Sequence, residues 1–399
     1  MKKLIAPAAI AVAAALLLAG CSGGGSTSSS SGGTFTGKPL VVAFPVPLTS
    51  GNKATAEQMV NAATLAVNEI NAKGGAGGRE LVLKTYDDQL TADASAQVTQ
   101  RALTVDGAEI VAGAYTTIEG LAIRQLTDPR KIVFMSTSTI SPALTDGSQY
   151  VFRTDHVQSD YPNQMAQAAS DLGLKNVLVV HDDSPSGSTL SDPIDQALKA
   201  KGVNALAPVG YTLNATDLSS TVATMAGEKP DGVIIVGSSA ADAGLMVKTM
   251  NEQGLVVPLI GFSSPVAPDA LRIGGDAYKT IPVYSIQNKQ PDKPLYADFA
   301  AKYAAANGGT AAQAAGGLSE AAGETYDGFT FLAKALDVTK GSTDGDALSA
   351  ALKGIAPFEG VSGKEGGTMS FANSTQAFKD EMVTLKYDPS TQLLVAFKP

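Results

Sequence analysis

The sequence predicts an α/β protein, because one plan recurs along the chain from Leu40 onward. A short, β-branched apolar run is followed by a loop rich in Ser, Thr, Gly and Pro, and then by a stretch with helical periodicity. The apolar runs are continuous rather than alternating, which is typical of parallel strands covered on both faces. We therefore expect doubly wound parallel sheets flanked by helices. The predicted strands are 40–46, 81–86, 109–114, 132–135, 177–180, 233–236 and 257–260.

Amphipathic stretches between these runs predict the helices. In 57–73, Val60, Ala63, Val67 and Ile70 recur at helical spacing, and the following glycine pair at 74–75 ends the helix. The same periodicity predicts further helices at 92–105, 118–126, 161–172, 191–201, 218–225, 240–253, 295–306 and 321–338.

The first 21 residues have the pattern of an export signal. Lys2 and Lys3 precede an apolar run over 4–18, which is shorter than the roughly 20 residues that a membrane-spanning helix needs. The run ends in Leu-Ala-Gly and then Cys21, and this segment resembles the lipobox of bacterial lipoproteins. The resemblance implies a signal peptide over 1–20 and a lipidated Cys21, whose thiol carries a diacylglyceryl group and whose new amine is often acylated too, with palmitate among the expected acyl groups. The alternative is an ordinary secretory signal followed by a chance cysteine.

The rest of the chain divides into a tether and a folded part. Residues 21–37 form the expected lipidated cysteine and its linker, since 22–37 are almost entirely Ser, Gly and Thr. Residues 38–399 are too many for one core and suit two domains. Cys21 is the single cysteine, so an internal disulfide is excluded. Loss of Lys2 and Lys3 leaves 27 basic and 38 acidic residues, a net charge of about −11, which argues against nucleic-acid binding.

Polar side chains cluster directly after six of the predicted strands. In open α/β sheets, ligands bind beyond the carboxyl ends of the strands, where helix N-termini offer free N–H groups. For each residue taken alone, capping of the next helix is the more ordinary role. The repetition at six strand ends favours a cleft for a polar ligand. The segments are 47–51, 115–117, 136–139, 182–187, 238–239 and 263–264, and they contain Tyr115, Thr117, Ser136, Asp183 and Ser186.

Catalytic and metal-binding motifs are not found in the sequence. The two histidines, His156 and His181, have no neighbours at metal-ligand spacing. No Gly-x-Ser-x-Gly elbow occurs, and lipidation would leave no cysteine nucleophile. We therefore expect no enzyme activity, no metal and no cofactor.

The order of segments resembles the type I periplasmic binding proteins that include the leucine/isoleucine/valine-binding proteins of ABC importers. Each matching stretch is weak alone, but their order and spacing run nearly the length of the chain after the tether. The stretches are Pro-Leu-Thr-Ser-Gly at 47–51, Ala-Val-Asn-Glu-Ile-Asn-Ala-Lys-Gly-Gly at 66–75, Asp-Asp-Gln at 87–89, Ser-Pro-Ala-Leu-Thr at 141–145, Val-Phe-Arg-Thr at 151–154 and Glu-Thr-Tyr-Asp-Gly at 324–328.

The resemblance implies two α/β lobes joined by three hinge crossings, which close on a solute without chemistry. It places the first lobe at 38–156 and 286–366, and the second at 157–285 and 367–399. It further implies a monomer, held on the outer face of the membrane by its lipid, that delivers the solute to a membrane permease. Two alternatives remain: a sensory module that reports the ligand to a membrane receptor, and an exported hydrolase.

The family's ligand contacts fall on particular residues of this sequence. The resemblance places the ligand carboxylate at Thr117, and at Ser138 and Ile140, which flank Thr139. Family aromatic residues are replaced near Ser186, near Ser238 or Ser239, and near Thr55, and the acid that pairs with an amino-acid ammonium falls near Ser263. A buried ammonium needs a carboxylate partner. The sequence offers four candidates for it, each with capping as the alternative role, namely Asp160, Asp182, Asp183 and Asp242.

Overall fold

The structure is a computed structural model that describes residues 34–377 and 382–398, apart from the side chains of Pro185 and Ser186. The predicted signal peptide, Cys21 and the tether as far as residue 33 lie outside the described residues. Within the described part, no helix is both long enough and apolar enough to cross a membrane.

The first lobe is built on a five-stranded parallel sheet in the order β2-β1-β3-β4-β5. Three helices connect successive strands, and each strand is followed by a loop at the same edge of the sheet. The sequence did not predict β5, because three residues are too few to show a pattern. The elements are β1 (Leu40–Val46), α1 (Lys53–Ala72), β2 (Leu81–Asp87), α2 (Ala92–Thr104), β3 (Ala108–Gly113), α3 (Thr117–Thr127), β4 (Phe134–Ser136) and β5 (Val151–Arg153).

The second lobe is built on an eight-stranded sheet. Its main path is β13-β12-β11-β10-β9-β6-β7, and β8 also pairs with β6. The strands from β6 to β11 pair in parallel, whereas β12 and β13 add an antiparallel edge that the sequence did not predict. The elements are α4 (Tyr161–Asp171), β6 (Asn176–Asp182), α5 (Pro185–Ala200), β7 (Asn204–Ala205), β8 (Val209–Tyr211), α6 (Ser219–Gly227), β9 (Gly232–Val236), α7 (Ala240–Glu252), β10 (Leu259–Gly261), α8 (Pro268–Gly274), β11 (Val283–Gln287), β12 (Val383–Asp388) and β13 (Leu393–Ala396).

After β11 the chain returns to the first lobe. Helix α11 packs along α1, and its Phe329 lies 6.0 Å from Phe44 of β1 between ring centroids. The returning helices are α9 (Pro294–Asn307), α10 (Ala311–Gly317), α11 (Glu320–Val338) and α12 (Gly345–Gly354). Short 3-10 helices lie at Asp128–Arg130, Pro142–Leu144, Gln158–Asp160, Ser264–Val266 and Gly275–Lys279. The chain therefore crosses between lobes after β5, after β11 and again before β12, and the expected α/β fold with two lobes is confirmed.

Residues beyond the boundary expected at 366 and 367 pack into the first lobe. Met369, Phe371 and Ala377 are buried in the core of the first lobe. The Phe371 ring packs edge-on against Phe152, with 5.0 Å between centroids. Because these side chains bury their apolar surface in the first lobe, we propose that the first lobe extends at least to Ala377. Met382 is buried in a core of the second lobe.

Candidate ligand-binding cleft

A cavity of about 60 Å³ lies between the two lobes. Five strand ends reach it, from β3, β4 and β5 of the first sheet and from β9 and β10 of the second. This volume can hold only a few water molecules, so an occupant would be a small molecule. The residues that line it are Tyr115, Thr116, Thr117, Ser138, Ile140, Asp155, Tyr161, Gly237, Ser238, Phe262, Ser263, Ser264 and Glu320.

The N-terminus of α3 forms one wall on the first lobe. Thr116 is the N-cap, and its N–H donates to Glu119 Oε2 at 2.6 Å in a capping box. Burial, together with the nearby Asp88 carboxyl, raises the pKa of Glu119 well above its usual range. The cap thereby fixes the first turn of α3, which begins at Thr117. The free N–H groups of such a turn and the Thr117 hydroxyl can bind a carboxylate.

The loop after β4 supplies Ser138 and Ile140 to the cavity, while the residues between and before them face elsewhere. Thr139 is fully buried, and its hydroxyl donates to the Thr116 carbonyl at 3.3 Å. Arg153 donates to the Thr139 carbonyl at 3.2 Å, which fixes the loop from the other side. Ser136, the last residue of β4, is fully buried and does not line the cavity. Thr139 thus supports the loop, and neither Thr139 nor Ser136, two of the expected ligand contacts, is among the residues that line the cavity.

An aromatic pair and small residues form the second-lobe wall. Tyr161 and Phe262 pack edge to face with ring centroids 4.6 Å apart, and both reach the cavity. Ser263 also lines the cavity, as does Ser238. Ser239 does not, because its hydroxyl caps α7 by accepting from the Asp242 N–H at 3.2 Å. The sequence missed this aromatic pair, because Tyr161 was counted only as the start of a helix.

The four candidate acids for a ligand ammonium all lie off the cavity. Asp182 is buried and accepts from the Ser238 N–H at 2.7 Å, so it holds the loop after β9. Asp183 is exposed and accepts from Leu213 N–H at 3.0 Å, and Asp242 accepts from Asn214 N–H at 2.8 Å. Asp160 is half-buried beside Gln376. Of the other expected contacts, Thr55 is fully buried away from the cavity, and the side chain of Ser186 lies outside the described residues.

Two acids that the sequence did not single out do line the cavity. Asp155 follows β5 and is 2% exposed, and Glu320 is the first residue of α11 and is 4% exposed. Burial raises the pKa of Asp155 to about 6. Burial and the charge of Asp155 raise the pKa of Glu320 to about 8. The strand-end rule would have found Asp155 if β5 had been recognised, whereas no local signal brings Glu320 to the cleft.

The two lobes touch each other beside the cavity. Asn52, before α1, is fully buried and accepts from the Ala240 N–H, at the start of α7, at 2.8 Å. The Ala54 N–H donates to Asp269 Oδ2 of α8 at 2.7 Å. These contacts join the N-terminus of one helix on the first lobe to two helices on the second. The structure therefore has the lobes closed over the cavity.

The arrangement offers binding chemistry. Hydroxyls, a helix N-terminus, two carboxylates and an aromatic wall surround the cavity. Among residues 34–377 and 382–398, no group of three His, Cys, Asp or Glu side chains is placed to hold a metal ion.

Comparison with known proteins agrees with this architecture. The sequence profile of the family Peripla_BP_6, periplasmic binding protein, matches residues 39–387. Leu/Ile/Val-binding protein homolog 2 of Brucella abortus is 27% identical over 245 residues, which cover 60% of this chain and 64% of the relative. The match thus spans less than two thirds of that relative's length.

Two solved structures share the fold. A leucine binding protein, LivK, from Thermotoga maritima superposes with a TM-score of 0.79 at 19% identity, covering 90% of this chain and 98% of that one. A solute binding protein of an ABC transporter from Rhodopseudomonas palustris, in complex with p-hydroxybenzoic acid, has the same TM-score at 17% identity, with 91% and 96% covered. The resemblance noted from the sequence is confirmed, and the chain belongs to the Peripla_BP_6 family of type I periplasmic binding proteins, with the leucine/isoleucine/valine-binding proteins.

Proposed function

We propose that the protein is the solute-binding lipoprotein of an ABC importer and captures a small polar solute, an amino acid or a related amide or carboxylate. The observation that carries this proposal is the cavity enclosed between two closed lobes, at the carboxyl ends of strands from both sheets. A ligand there contacts both lobes and so stabilises the closed form over the open form.

The first-lobe wall of the cavity carries donors that suit a carboxylate group of the solute. Thr117 begins α3, and Ser138 lies across from it on the next strand end. The N–H groups of the α3 first turn and the two hydroxyls together supply several donors to one anionic group. Ile140 contributes its backbone and an apolar side chain, and Tyr115 closes the same side of the cavity.

The second-lobe wall of the cavity carries apolar surface that suits a small apolar group of the solute. The Tyr161 and Phe262 rings provide apolar surface, and Ser263 and Ser238 provide hydroxyls beside it. The relatives are named for leucine, isoleucine and valine, and one structural neighbour holds p-hydroxybenzoic acid. A branched-chain amino acid therefore belongs in the first set of solutes to test.

The N-terminal segment supports attachment outside the cytoplasmic membrane. A short apolar run ends at Cys21, the single cysteine, and a Ser/Gly linker follows. Two or more acyl chains anchor a protein stably, because each buried methylene contributes about 0.8 kcal/mol. In this arrangement a monomer on the outer face of the membrane would hand its solute to the permease. Mass spectrometry of the mature N-terminal peptide tests the anchor, since an unmodified Cys21 would contradict it.

Ligand-dependent melting tests the binding function directly. A solute at 100 times its Kd adds about 2.7 kcal/mol to the free energy of unfolding, which raises Tm by several degrees. We expect at least one amino acid, amide or small carboxylate to produce this shift in the purified protein. A complete panel without any shift would contradict the proposal.

Uptake separates an importer component from a sensory module. We expect a strain that lacks the protein to lose uptake of the labelled solute identified by the melting assay, and to regain it with the wild-type gene. Unchanged uptake would contradict the transport role and favour the sensory alternative.

A further inference from the structure

The ionisable side chains that line the cavity include acids but no bases. Asp155 and Glu320 line it, and its lining contains no Lys, Arg or His. A third carboxyl, Glu324, lies one helical turn beyond Glu320 and beside Asp155, and it is fully buried. The hinge side of the cleft therefore carries buried acids without a basic side chain in the cavity wall.

Two basic side chains near these acids, those of Arg153 and Lys289, donate hydrogen bonds to backbone carbonyls instead. Arg153 donates to the carbonyls of Thr139 and Ser141 at 3.2 and 2.7 Å. Lys289 is fully buried and donates to the Leu318 carbonyl at the end of α10. Within the described part of the chain, neither Asp155, Glu320 nor Glu324 forms a salt bridge within 4.0 Å.

Hydrogen bonds satisfy these acids only in part. Asp155 Oδ1 accepts from the His156 N–H at 2.6 Å, and Glu320 Oε2 accepts from the Asn288 N–H at 2.9 Å. Both carboxyl oxygens of Glu324 and both polar side-chain atoms of Asn288 are buried without a hydrogen bond of standard geometry among the described residues, although Glu324 lies close to both Asp155 and Asn288. Unpaired buried polar groups and charges cost folding free energy. Glu324 and Asn288 do not line the cavity themselves, but they neighbour Asp155 and Glu320, which do.

We infer that Asp155 and Glu320 form a cation subsite for a protonated amine of the solute, and that an acid without an amine is rejected. The inference rests on the proposed function and narrows it to ammonium-bearing small molecules. An ammonium between the two carboxylates gains their attraction in a site shielded from water. An anion without an amine, such as 4-hydroxybenzoate, meets uncompensated negative charge there.

The subsite also changes which lobe holds the amine. By family resemblance the acid is expected near Ser263, on the second lobe. Glu320 belongs to α11 of the first lobe, and Asp155 lies at the first crossing. Both polar ends of the solute would then be bound by the first lobe and hinge, with Tyr161 and Phe262 closing over it.

Matched pairs of probes test the inference on the wild-type protein. Titration calorimetry compares alanine, leucine and phenylalanine with propanoate, 4-methylpentanoate and 3-phenylpropanoate, which lack only the amine. The remaining common amino acids, 1,4-diaminobutane and 4-hydroxybenzoate complete the panel. We expect binding only among amine-bearing probes, with at least a 100-fold loss when the amine of a binding probe is removed. Tight binding of 4-hydroxybenzoate or of a deamino acid would overturn the cation subsite and leave the solute-binding function intact. Binding of no probe would overturn both.

Isosteric variants assign the subsite to the two residues. Glu320→Gln and Asp155→Asn keep one acceptor oxygen and remove the charge. We expect each variant to bind the amine-bearing probe at least tenfold more weakly than the wild-type protein does. Tm without ligand should be unchanged or higher, because the amide stays neutral in the buried site without having to bind a proton. Glu57→Gln removes the same charge from an exposed position on α1 and should leave affinity unchanged. Affinity within threefold of wild type in both cleft variants would overturn the assignment. Should a variant fail to fold, the probe pairs on the wild-type protein still decide the question.

Discussion

Asn52 Oδ1 accepts a 2.8 Å hydrogen bond from the backbone N–H of Ala240, and this bond crosses from one lobe to the other. Asn52 is fully buried in the closed structure. The bond satisfies one of the free N–H groups at the start of α7, which water would otherwise satisfy in an open form. The contact therefore belongs to the closed conformation and contributes to the free energy of closure.

Replacement of Asn52 by alanine should weaken ligand binding without unfolding either lobe. Loss of one buried hydrogen bond costs about 1 to 2 kcal/mol, which corresponds to roughly a 5- to 30-fold increase in Kd. Calorimetry measures Kd, and small-angle scattering measures the more open shape without ligand. Asn61→Ala is the matched control, because Asn61 donates to the Tyr303 hydroxyl at 3.1 Å within the first lobe. Equal loss of affinity in both variants would show that closure does not depend on the Asn52 bond.

A bulky side chain at Gly51 should hold the lobes apart. A β-carbon there would lie 2.7 Å from the Ala241 β-carbon on the second lobe, closer than two carbons pack. We expect Gly51→Leu to reduce affinity at least tenfold and to leave Tm without ligand nearly unchanged, since the clash exists only in the closed form. Small-angle scattering of Gly51→Leu should show nearly the same shape with and without ligand. Wild-type affinity in this variant would contradict the closed geometry.

Thr117 should contribute to binding of the solute carboxylate. In Thr117→Val the hydroxyl is lost while the shape is kept, and a charge-assisted hydrogen bond is worth about 1.5 to 3 kcal/mol. We expect at least a tenfold rise in Kd for a carboxylate-bearing solute by calorimetry. Thr104→Val, at an exposed position near the end of α2, controls for the substitution itself. An unchanged Kd for Thr117→Val would remove this residue from the proposed contacts.

The strand-end rule predicted part of the cavity wall. Tyr115, Thr117, Ser138 and Ser263 all follow strands and all line the cavity, as loops at one edge of a parallel sheet must converge. The rule could not separate them from their neighbours. Thr139 and Ser239 have the same local sequence character, yet they bond to the backbone of the first and second lobes. Only tertiary geometry decides which hydroxyl of a cluster faces the ligand.

The acids of the cleft show a second limit of sequence reasoning. Glu320 lies more than 150 residues from Asp155 along the chain, and the two are brought together by the return of the chain to the first lobe. The predicted helix at 321–338 began one residue too late to include Glu320. Composition and residue spacing do not reveal that Asp155 and Glu320 are close in space. The tertiary structure shows it directly.

The unliganded protein should lose stability as pH rises from 4.5 to 6.5. Burial raises the pKa of several carboxyls above their unfolded values, so the folded state keeps protons that the unfolded state releases over this range. His156 opposes the trend, since burial lowers its pKa to about 3, but the carboxyls outnumber it. We expect a decrease of about 2 kcal/mol or more, measured by urea unfolding, with a smaller decrease in Glu320→Gln. A rise in stability over this range would contradict the burial of these acids. The carboxyls are Asp88, Asp155, Asp242 and Asp327, each with a pKa of about 6, and Glu320, with a pKa of about 8.

Binding of an amine-bearing solute should strengthen over the same pH range. The ammonium favours ionised Asp155 and Glu320, so the complex holds fewer protons than the free protein below about pH 8 and affinity rises with pH. Titration at pH 6.5 in buffers of different ionisation enthalpy should reveal proton release on binding. Glu320→Gln should reduce this release, whereas Glu57→Gln should not change it. Proton uptake, or a release that is identical in both variants, would contradict a role for Glu320. The other charged or titratable groups around the subsite are Arg153, His156, Asp160, Tyr161, Lys289, Tyr296 and Glu324.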